Sequence, residues 1–343
     1  RYREMLESRD YRGQKFEADA WCAAFVWEKT KNAPEPITTA MFQSIKESPD
    51  WLAPEVREEV ERIARQYKFF HWHLAFPDVF RPPLPGELPD NRDMGWCGGF
   101  DVVLGNPPWE QVEVEEIKWF ASRRPDIAKA PNAAHREEMI CSLRDEDPRL
   151  YNHFASEKRM YDGMRHFLRS SGRFPFCARG RINTYAVFAE TMKNIISPSG
   201  RVGAVIPSGI ATDYTTRFFF QDIMGAGGPP ALVSFYDFEN RQKLFLDVDS
   251  RMKFSLVTMT GSGQPATEGA DFVFFAQRVE DLKDPERHVR LTIEDIELLN
   301  LIRLRFRHSG RGVMRRSRRR STARCLCLSK RRAKASLRRI RGD

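Results

Sequence analysis

The stretch FDVVLGNPPW, residues 100–109, joins a β-branched apolar run to a proline-stiffened turn. Phe100 to Leu104 has the composition of a buried parallel strand, and Gly105 marks its end. Pro107 and Pro108 fix the backbone and remove two donors, so that carbonyl oxygens are left to accept. A loop at the carboxyl end of a parallel strand is where open α/β sheets place their ligands.

Working outward, the downstream chain alternates in the manner of such a sheet. Thr184 to Ile196 is predicted to be a helix, with Tyr185, Phe188, Met192 and Ile195 as one core stripe and Ser197 to Gly200 ending it. Arg201 to Ile206 is a second buried strand, closed by Pro207-Ser208-Gly209. A helix is expected from about Tyr214 to Met224. Gly225 to Pro230 breaks it, and strands are expected over 232–236, 253–259 and 272–276. Strand–helix–strand order with buried strands argues for an open α/β sheet. Residues 110–180 are charged and irregular, an insertion with short helices. Upstream, residues 1–70 are predicted helical: Val56, Val60, Ile63 and Ala64 recur at helical spacing and Pro54 stands near the start of that run. His71 to Phe80 is aromatic and expected to be buried, and Pro82 to Asn91 is a turn-forming connection. The organisation is thus a helical lead-in (1–95), a sheet domain (96–300) with its insertion at about 110–180, and a basic tail (301–343).

Charge is unevenly placed. The chain has 56 basic and 47 acidic side chains, a net of +9, but residues 301–343 alone carry 17 basic and one acidic group. The first 300 residues are therefore net −7, and the +9 is no argument for a phosphate-tracking surface on the folded part. Six cysteines occur without a CxxC pair, and His71 and His73 have no nearby cysteine to complete a zinc site. Reduced cysteines, a cytoplasmic location and no metal are the expectation. No apolar run is long enough for a membrane span.

The turn suits one kind of chemistry. An exocyclic amine on an aromatic ring is a poor nucleophile because its lone pair is delocalised. Two acceptors, the Asn106 side-chain oxygen and the Pro107 carbonyl, would hold the amine hydrogens and favour a more tetrahedral nitrogen. Trp109 supplies a plate on which an extruded base would stack. Set against this is a rigid Asn-Pro turn that merely ends a strand.

FDVVLGNPPW resembles motif IV of the adenine-N6 DNA methyltransferases. With the aromatic stretch FHWHLAFPDVF before it, the sequence is similar to the large enzymes of type IIG restriction–modification and BREX-like phage defence. INTYAVFAETM (182–192), GRVGAVIPSGIATD (200–213) and YDFENRQKLFLDVDSRMKF (236–254) follow that family in order and spacing, so the resemblance covers roughly residues 65–300. It implies the C-terminal half of a Rossmann-like class I methyltransferase sheet, with S-adenosyl-L-methionine as cofactor and double-stranded DNA with a flipped adenine as partner. A fused or partner nuclease, or defence subunits, would accompany it. Asn106, Pro107, Pro108 and Trp109 would be the catalytic turn, with Trp109 and Phe245 sandwiching the base. Asp237, Glu239 and Asn240 resemble a family signature without an assignable role.

The family also has a glycine-rich cofactor turn before motif IV. No strand–GxG–helix precedes residue 100, so the cofactor-binding residues are unknown and expected upstream of Arg1. The chain alone is expected neither to bind S-adenosylmethionine tightly nor to methylate. Three other readings compete with it: a non-catalytic DNA-binding remnant, a methyltransferase of amides or bases in RNA or protein, and a nuclease using Asp78 and Glu116-Ile117-Lys118. The tail resembles out-of-frame product, because restoring one base after the Asn300 codon lets synonymous codons yield a family-like continuation.

Overall fold

In the computed structural model, which describes residues 4, 6, 8–47 and 51–299, helices form the lead-in. Ser8 caps α1 (Arg9–Val26), its hydroxyl accepting the Tyr11 amide at 3.2 Å. After α2 (Thr39–Glu47) comes α3 (Pro54–Tyr67), which starts on its proline and buries Val56, Val60, Ile63 and Ala64. That stripe closes on Ala20, Ala23 and Val26 of α1 in a core of its own. The buried Asp19 carboxylate of α1 meets His71 Nε2 at 2.8 Å, tying the aromatic segment to the helices.

That segment is buried only in part. Leu74, in the short α4 (Trp72–Ala75), and Phe80 are buried, but Phe70 is 60% and Phe76 39% exposed. The small hairpin of β1 (Phe80–Arg81) with β2 (Cys97–Gly98) draws Phe80 between Trp96 and Phe100, while Trp72 and Phe76 meet Phe100 as well.

The main sheet starts at β3 (Phe100–Gly105). The insertion then folds as α5 (Glu116–Ala121), α6 (Pro125–Ala128), α7 (Ala133–Glu146) and α8 (Pro148–Ser170). At 23 residues α8 is not the short helix expected. Trp119, Phe120, Ile127, Leu143 and Phe154 give these helices a separate core. Arg159 of α8 donates to the carbonyls of Val26 and Trp27, satisfying the end of α1.

Next come α9 (Thr184–Ile195), β4 (Ile196–Pro207), α10 (Gly209–Thr212), α11 (Arg217–Ile223), β5 (Leu232–Glu239), β6 (Lys253–Thr260), β7 (Ala270–Ala276), β8 (Val289–Leu291) and α12 (Ile293–Leu299). The sheet order is β3-β4-β6-β5-β7-β8. β3, β4, β5 and β7 all run one way, and β6 and β8 run against them. Four carboxyl ends therefore meet at one edge, and a partial Rossmann-like sheet is what the chain forms. Its main core lies between this sheet and α9, α11 and α12. Phe238, Phe254, Val273 and Ala276 form a smaller core on the opposite face.

Two local expectations are corrected. Ser197 to Gly200 does not separate helix from strand, because β4 begins at Ile196 directly after α9. Phe100 pairs with Ile196 and Val102 with Arg201, so the SPSG segment bulges out within the strand pair. On α9, Tyr185, Met192 and Ile195 are buried but Phe188 is 46% exposed, at the margin of the stripe.

A larger correction concerns β3. Val102 is 61% and Leu104 78% exposed, so the strand is not buried. It pairs with β4 alone and forms the sheet's edge, with Phe100 and Val103 turned toward packed side chains. An apolar, unpaired edge is a template for association. Replacing both Val102 and Leu104 by lysine is expected to shift the protein toward the monomer in sedimentation velocity. Equal association of parent and variant would refute this.

At the other end of the sheet, His288 Nδ1 lies 2.7 Å from Asp271 and Nε2 lies 2.9 Å from the Leu282 carbonyl. The Leu282 carbonyl and the Asp271 carboxylate raise the imidazole pKa above its usual value of 6.5. A raised folded-state pKa gives stabilisation that is complete below the unfolded value and lost as pH climbs through the folded one. The thermal midpoint should therefore fall more steeply for the parent than for His288→Gln between pH 6 and 8.5. A difference of up to about 1 kcal/mol is expected for a partly exposed pair, and parallel curves would exclude the contribution.

Residues 301–343, with Cys325, Cys327 and the proposed frame change, lie outside the described residues. Among the described residues no helix is long and apolar enough to cross a membrane.

Candidate active site

Gly105 ends β3 beneath the tip of the Met192 side chain of α9, which a Cβ would displace. The chain then turns through Asn106, Pro107, Pro108 and Trp109. Asn106 is exposed, and its side chain makes no hydrogen bond among the described residues. Pro107 is buried and Pro108 exposed.

Residues 108–112 zip against 182–184 at the start of α9. The Thr184 hydroxyl donates to the Pro108 carbonyl at 2.6 Å and accepts the Glu110 amide at 3.1 Å. The Thr184 amide donates to the Glu110 carbonyl at 2.8 Å, and the Val112 amide donates to that of Ile182 at 3.0 Å. Asn183 pairs with Gln111 and caps α9 by accepting the Tyr185 amide at 3.2 Å.

Trp109 is half-buried and packs against both the main core and the smaller one. Its indole N–H is buried without an acceptor among the described residues, a cost of about 1–3 kcal/mol. The ring lines a cavity of about 360 Å³ together with Asn183, Tyr185, Pro207, Asp213 and Met252, within the size range of small-molecule sites. Burial, then the Asp213 carboxylate, push the Tyr185 phenol well above its usual range, so it is a neutral wall of the cavity. Asn106, Pro107, Pro108 and Phe245 do not line this cavity.

Phe245 is 40% exposed and sits edge-on to Phe254 at 5.0 Å. Phe254 stacks on Phe238 at 5.2 Å, and Trp109 packs against the cluster these two form with Val273 and Ala276. The two aromatics predicted from the sequence therefore adjoin one small core, while Met252 forms cavity wall beside Trp109.

The signature residues acquire structural roles. Asp237 is buried, accepting from the Ser208 hydroxyl and, at 3.4 Å, from the Phe275 amide. Burial raises its carboxyl pKa, and the Ser208 hydrogen bond opposes this. Glu239 binds Lys253 and Arg241, each at 2.8 Å, and the Lys253 hydrogen bond holds its pKa below the usual value. Asn240 is fully buried: its Nδ2 donates to the carbonyls of Phe245 and Val248, and its Oδ1 accepts the Phe245 amide, all at 3.0 Å. Its backbone amide donates to Met252 at 3.0 Å, closing the loop that presents Phe245.

Two further cavities adjoin the sheet. One of about 680 Å³ opens at the amino ends of β4 and β5, lined by Asn194, Pro198, Gly227 and Gly228. The other, about 470 Å³, lies beside Asp237 and Phe274 and shares Asp213 with the Trp109 cavity. Carboxyl ends are the ligand side of such sheets, which sets the 680 Å³ cavity aside. Of the two at that side, the Trp109 cavity is the one the proline turn adjoins.

The described residues do not fit a nucleotide-like cofactor by a glycine-rich turn. Gly95 to Gly99 leads into the β1–β2 hairpin, and Gly225 to Gly228 follows α11 at the amino end of β5. Neither stands at a strand's carboxyl end. Glu116 of the ExK pattern is on α5, paired with Arg136 at 3.2 Å and Lys158 at 3.9 Å. No group of three or more His, Cys, Asp or Glu that could hold a metal occurs among the described residues.

Thr184, Asn183 and Asp213 were not singled out from sequence. An Asn-Thr pair just before a periodic apolar run is a helix-cap signal and would have marked the first two.

Residues 18–139 match the Eco57I restriction-modification methylase family. No curated protein matches the chain. Among solved structures, the chain resembles DrdV in a cryo-EM complex with DNA at 12% identity and a TM-score of 0.27, covering 69% of this chain and 18% of that one. The ATP-dependent Type ISP restriction-modification enzyme LlaBIII, bound to DNA, gives 10% identity and a TM-score of 0.27, covering 77% and 13%. The chain thus spans less than a fifth of either, and likeness at that level carries no argument about the site.

Proposed function

We propose that this chain, which belongs over residues 18–139 to the Eco57I restriction-modification methylases, carries the target-base half of a DNA adenine-N6 methyltransferase. The observation that supports this most is the turn at the end of β3. Asn106 is exposed with its amide uncommitted, while Trp109, three residues on, lines a cavity large enough for a base. Asn106 Oδ1 and the Pro107 carbonyl accept the two amine hydrogens, draw the nitrogen toward tetrahedral geometry and aim its lone pair. Trp109 stacks on the extruded ring, and Phe245, which lies outside the Trp109 cavity on an exposed loop, covers the other face only once that loop moves toward it. S-adenosyl-L-methionine would supply the electrophilic methyl carbon, and no residue of this chain is assigned to hold it. The amine becomes acidic only as it gains the methyl group, so no base is needed beforehand; the amide oxygens of Asn106 and Pro107 are too weakly basic to keep the proton, which passes to solvent.

The test uses a duplex carrying 2-aminopurine opposite an abasic site, where extrusion is cheap. Binding of the protein is expected to raise the probe's fluorescence as it unstacks, and Trp109→Ala to alter the emission of the bound state. A duplex whose emission is unchanged at saturating protein would refute base extrusion.

A further inference from the structure

We infer that Thr184 is the positioning residue of the NPPW turn, a role that rests on Asn106 and Pro107 being the acceptors of the amine. A turn built on two prolines has no amide of its own at either position with which to anchor itself. It must be gripped at a carbonyl or at an amide beyond the prolines. The Thr184 hydroxyl engages both kinds of group, Pro108 O at 2.6 Å and Glu110 N at 3.1 Å, and also lies 3.1 Å from Glu110 O. The backbone amide of Thr184 adds a third bond, to Glu110 O at 2.8 Å. Trp109 lies between the gripped residues, so one side chain brackets the residue that would carry the base.

The hydroxyl also sorts the acceptors. With one proton and two lone pairs, it occupies the Pro108 carbonyl and leaves Asn106 and Pro107 to meet an amine. Its footing is firm. Thr184 is the first residue of α9, which Asn183 caps and whose Tyr185, Ala186 and Ala189 are buried in the main core. Sites held by rigid elements keep their geometry better than sites held by loops.

Valine matches threonine in shape and lacks the hydroxyl; serine keeps the hydroxyl and lacks the methyl. The full chain, labelled with fluorotryptophan and with ¹⁵N, is compared as parent, Thr184→Val and Thr184→Ser. Without ligand, the Glu110 amide should exchange roughly five- to tenfold faster in the valine variant, and the Trp109 fluorine line, assigned through Trp109→Phe, should move or broaden. Titrated with adenosine, the valine variant should bind roughly five- to tenfold more weakly with an unchanged thermal midpoint, and serine should restore both readouts. Unchanged Glu110 exchange and an unchanged Trp109 line in Thr184→Val would overturn the positioning role, as would a serine variant impaired as much as valine. Adenosine that leaves the parent's Trp109 line untouched at millimolar concentration would instead overturn the base-pocket assignment, while the exchange experiment still decides the role of Thr184.

Discussion

Asn106→Ala is expected to slow methyl transfer to adenine by on the order of 10²–10³-fold, the usual cost of removing one preorganised hydrogen-bonding group from a reacting centre. Adenosine affinity should change by no more than about tenfold, the price of a single ground-state hydrogen bond. The asymmetry follows from what the acceptor does. A planar amine bonds only moderately to Asn106 Oδ1, but the bond strengthens as the nitrogen becomes tetrahedral and its hydrogens turn more acidic. An interaction that grows toward the transition state is lost from kcat rather than from binding. The side chain is suited to this because it is exposed and makes no other hydrogen bond among the described residues, so nothing competes for the oxygen. Asn106→Asp should retain more activity than alanine, since a carboxylate still accepts. Asn106→Gln should resemble alanine, because the extra methylene displaces the acceptor. The assay follows tritium from S-adenosylmethionine into adenine-containing DNA, using the chain together with a separately expressed segment that supplies a cofactor turn. Alanine activity within threefold of the parent would remove Asn106 from the chemistry.

How far the residues foretell this arrangement differs between its parts. β3 and the proline turn are legible because β-branched runs and Pro-Pro act locally. That β3 lies open is not carried by the run itself, since FDVVL records which side chains suit a covered sheet and not which neighbours cover it; an exposed apolar first edge is what the resemblance to half a methyltransferase sheet implies. The 470 Å³ cavity beside Asp237 is likewise invisible in sequence, being made by α10, β5, β7 and α12 together. The length of α8 was hidden by its weak apolar periodicity, although Asp147 and Pro148 form a cap and first turn that could have been recognised. Phe245 was marked by resemblance alone. Its support by Asn240, five residues earlier in the chain, becomes visible only when the loop is closed.

That support makes the second large effect. Asn240→Ala is expected to lower the thermal midpoint by several degrees, corresponding to about 1–3 kcal/mol, and to open the loop to trypsin at Arg241, Lys243 and Arg251. One buried amide here meets three backbone groups at 3.0 Å, the Phe245 amide and carbonyl and the Val248 carbonyl. Alanine abandons the two Phe245 groups and leaves the Val248 carbonyl to the Lys243 ammonium at 3.2 Å. Residues 241–247 are exposed, so the freed groups find water once the loop moves, which keeps the cost below that of two orphaned groups in a sealed core. What is lost is a unique loop conformation, and with it the placement of Phe245 against Phe254 and of Met252 beside Trp109. Asn240→Asp should be worse than alanine, because a carboxylate in the same place would face the carbonyls of Phe245 and Val248 with no proton to offer and would be buried as a charge. The order parent, alanine, aspartate in thermal midpoint, matched by the reverse order in tryptic cleavage rate, is the signature of an amide acting through its donors. If the aspartate variant were as stable as the parent at neutral pH, the donor bonds to Phe245 and Val248 would not be what holds the loop.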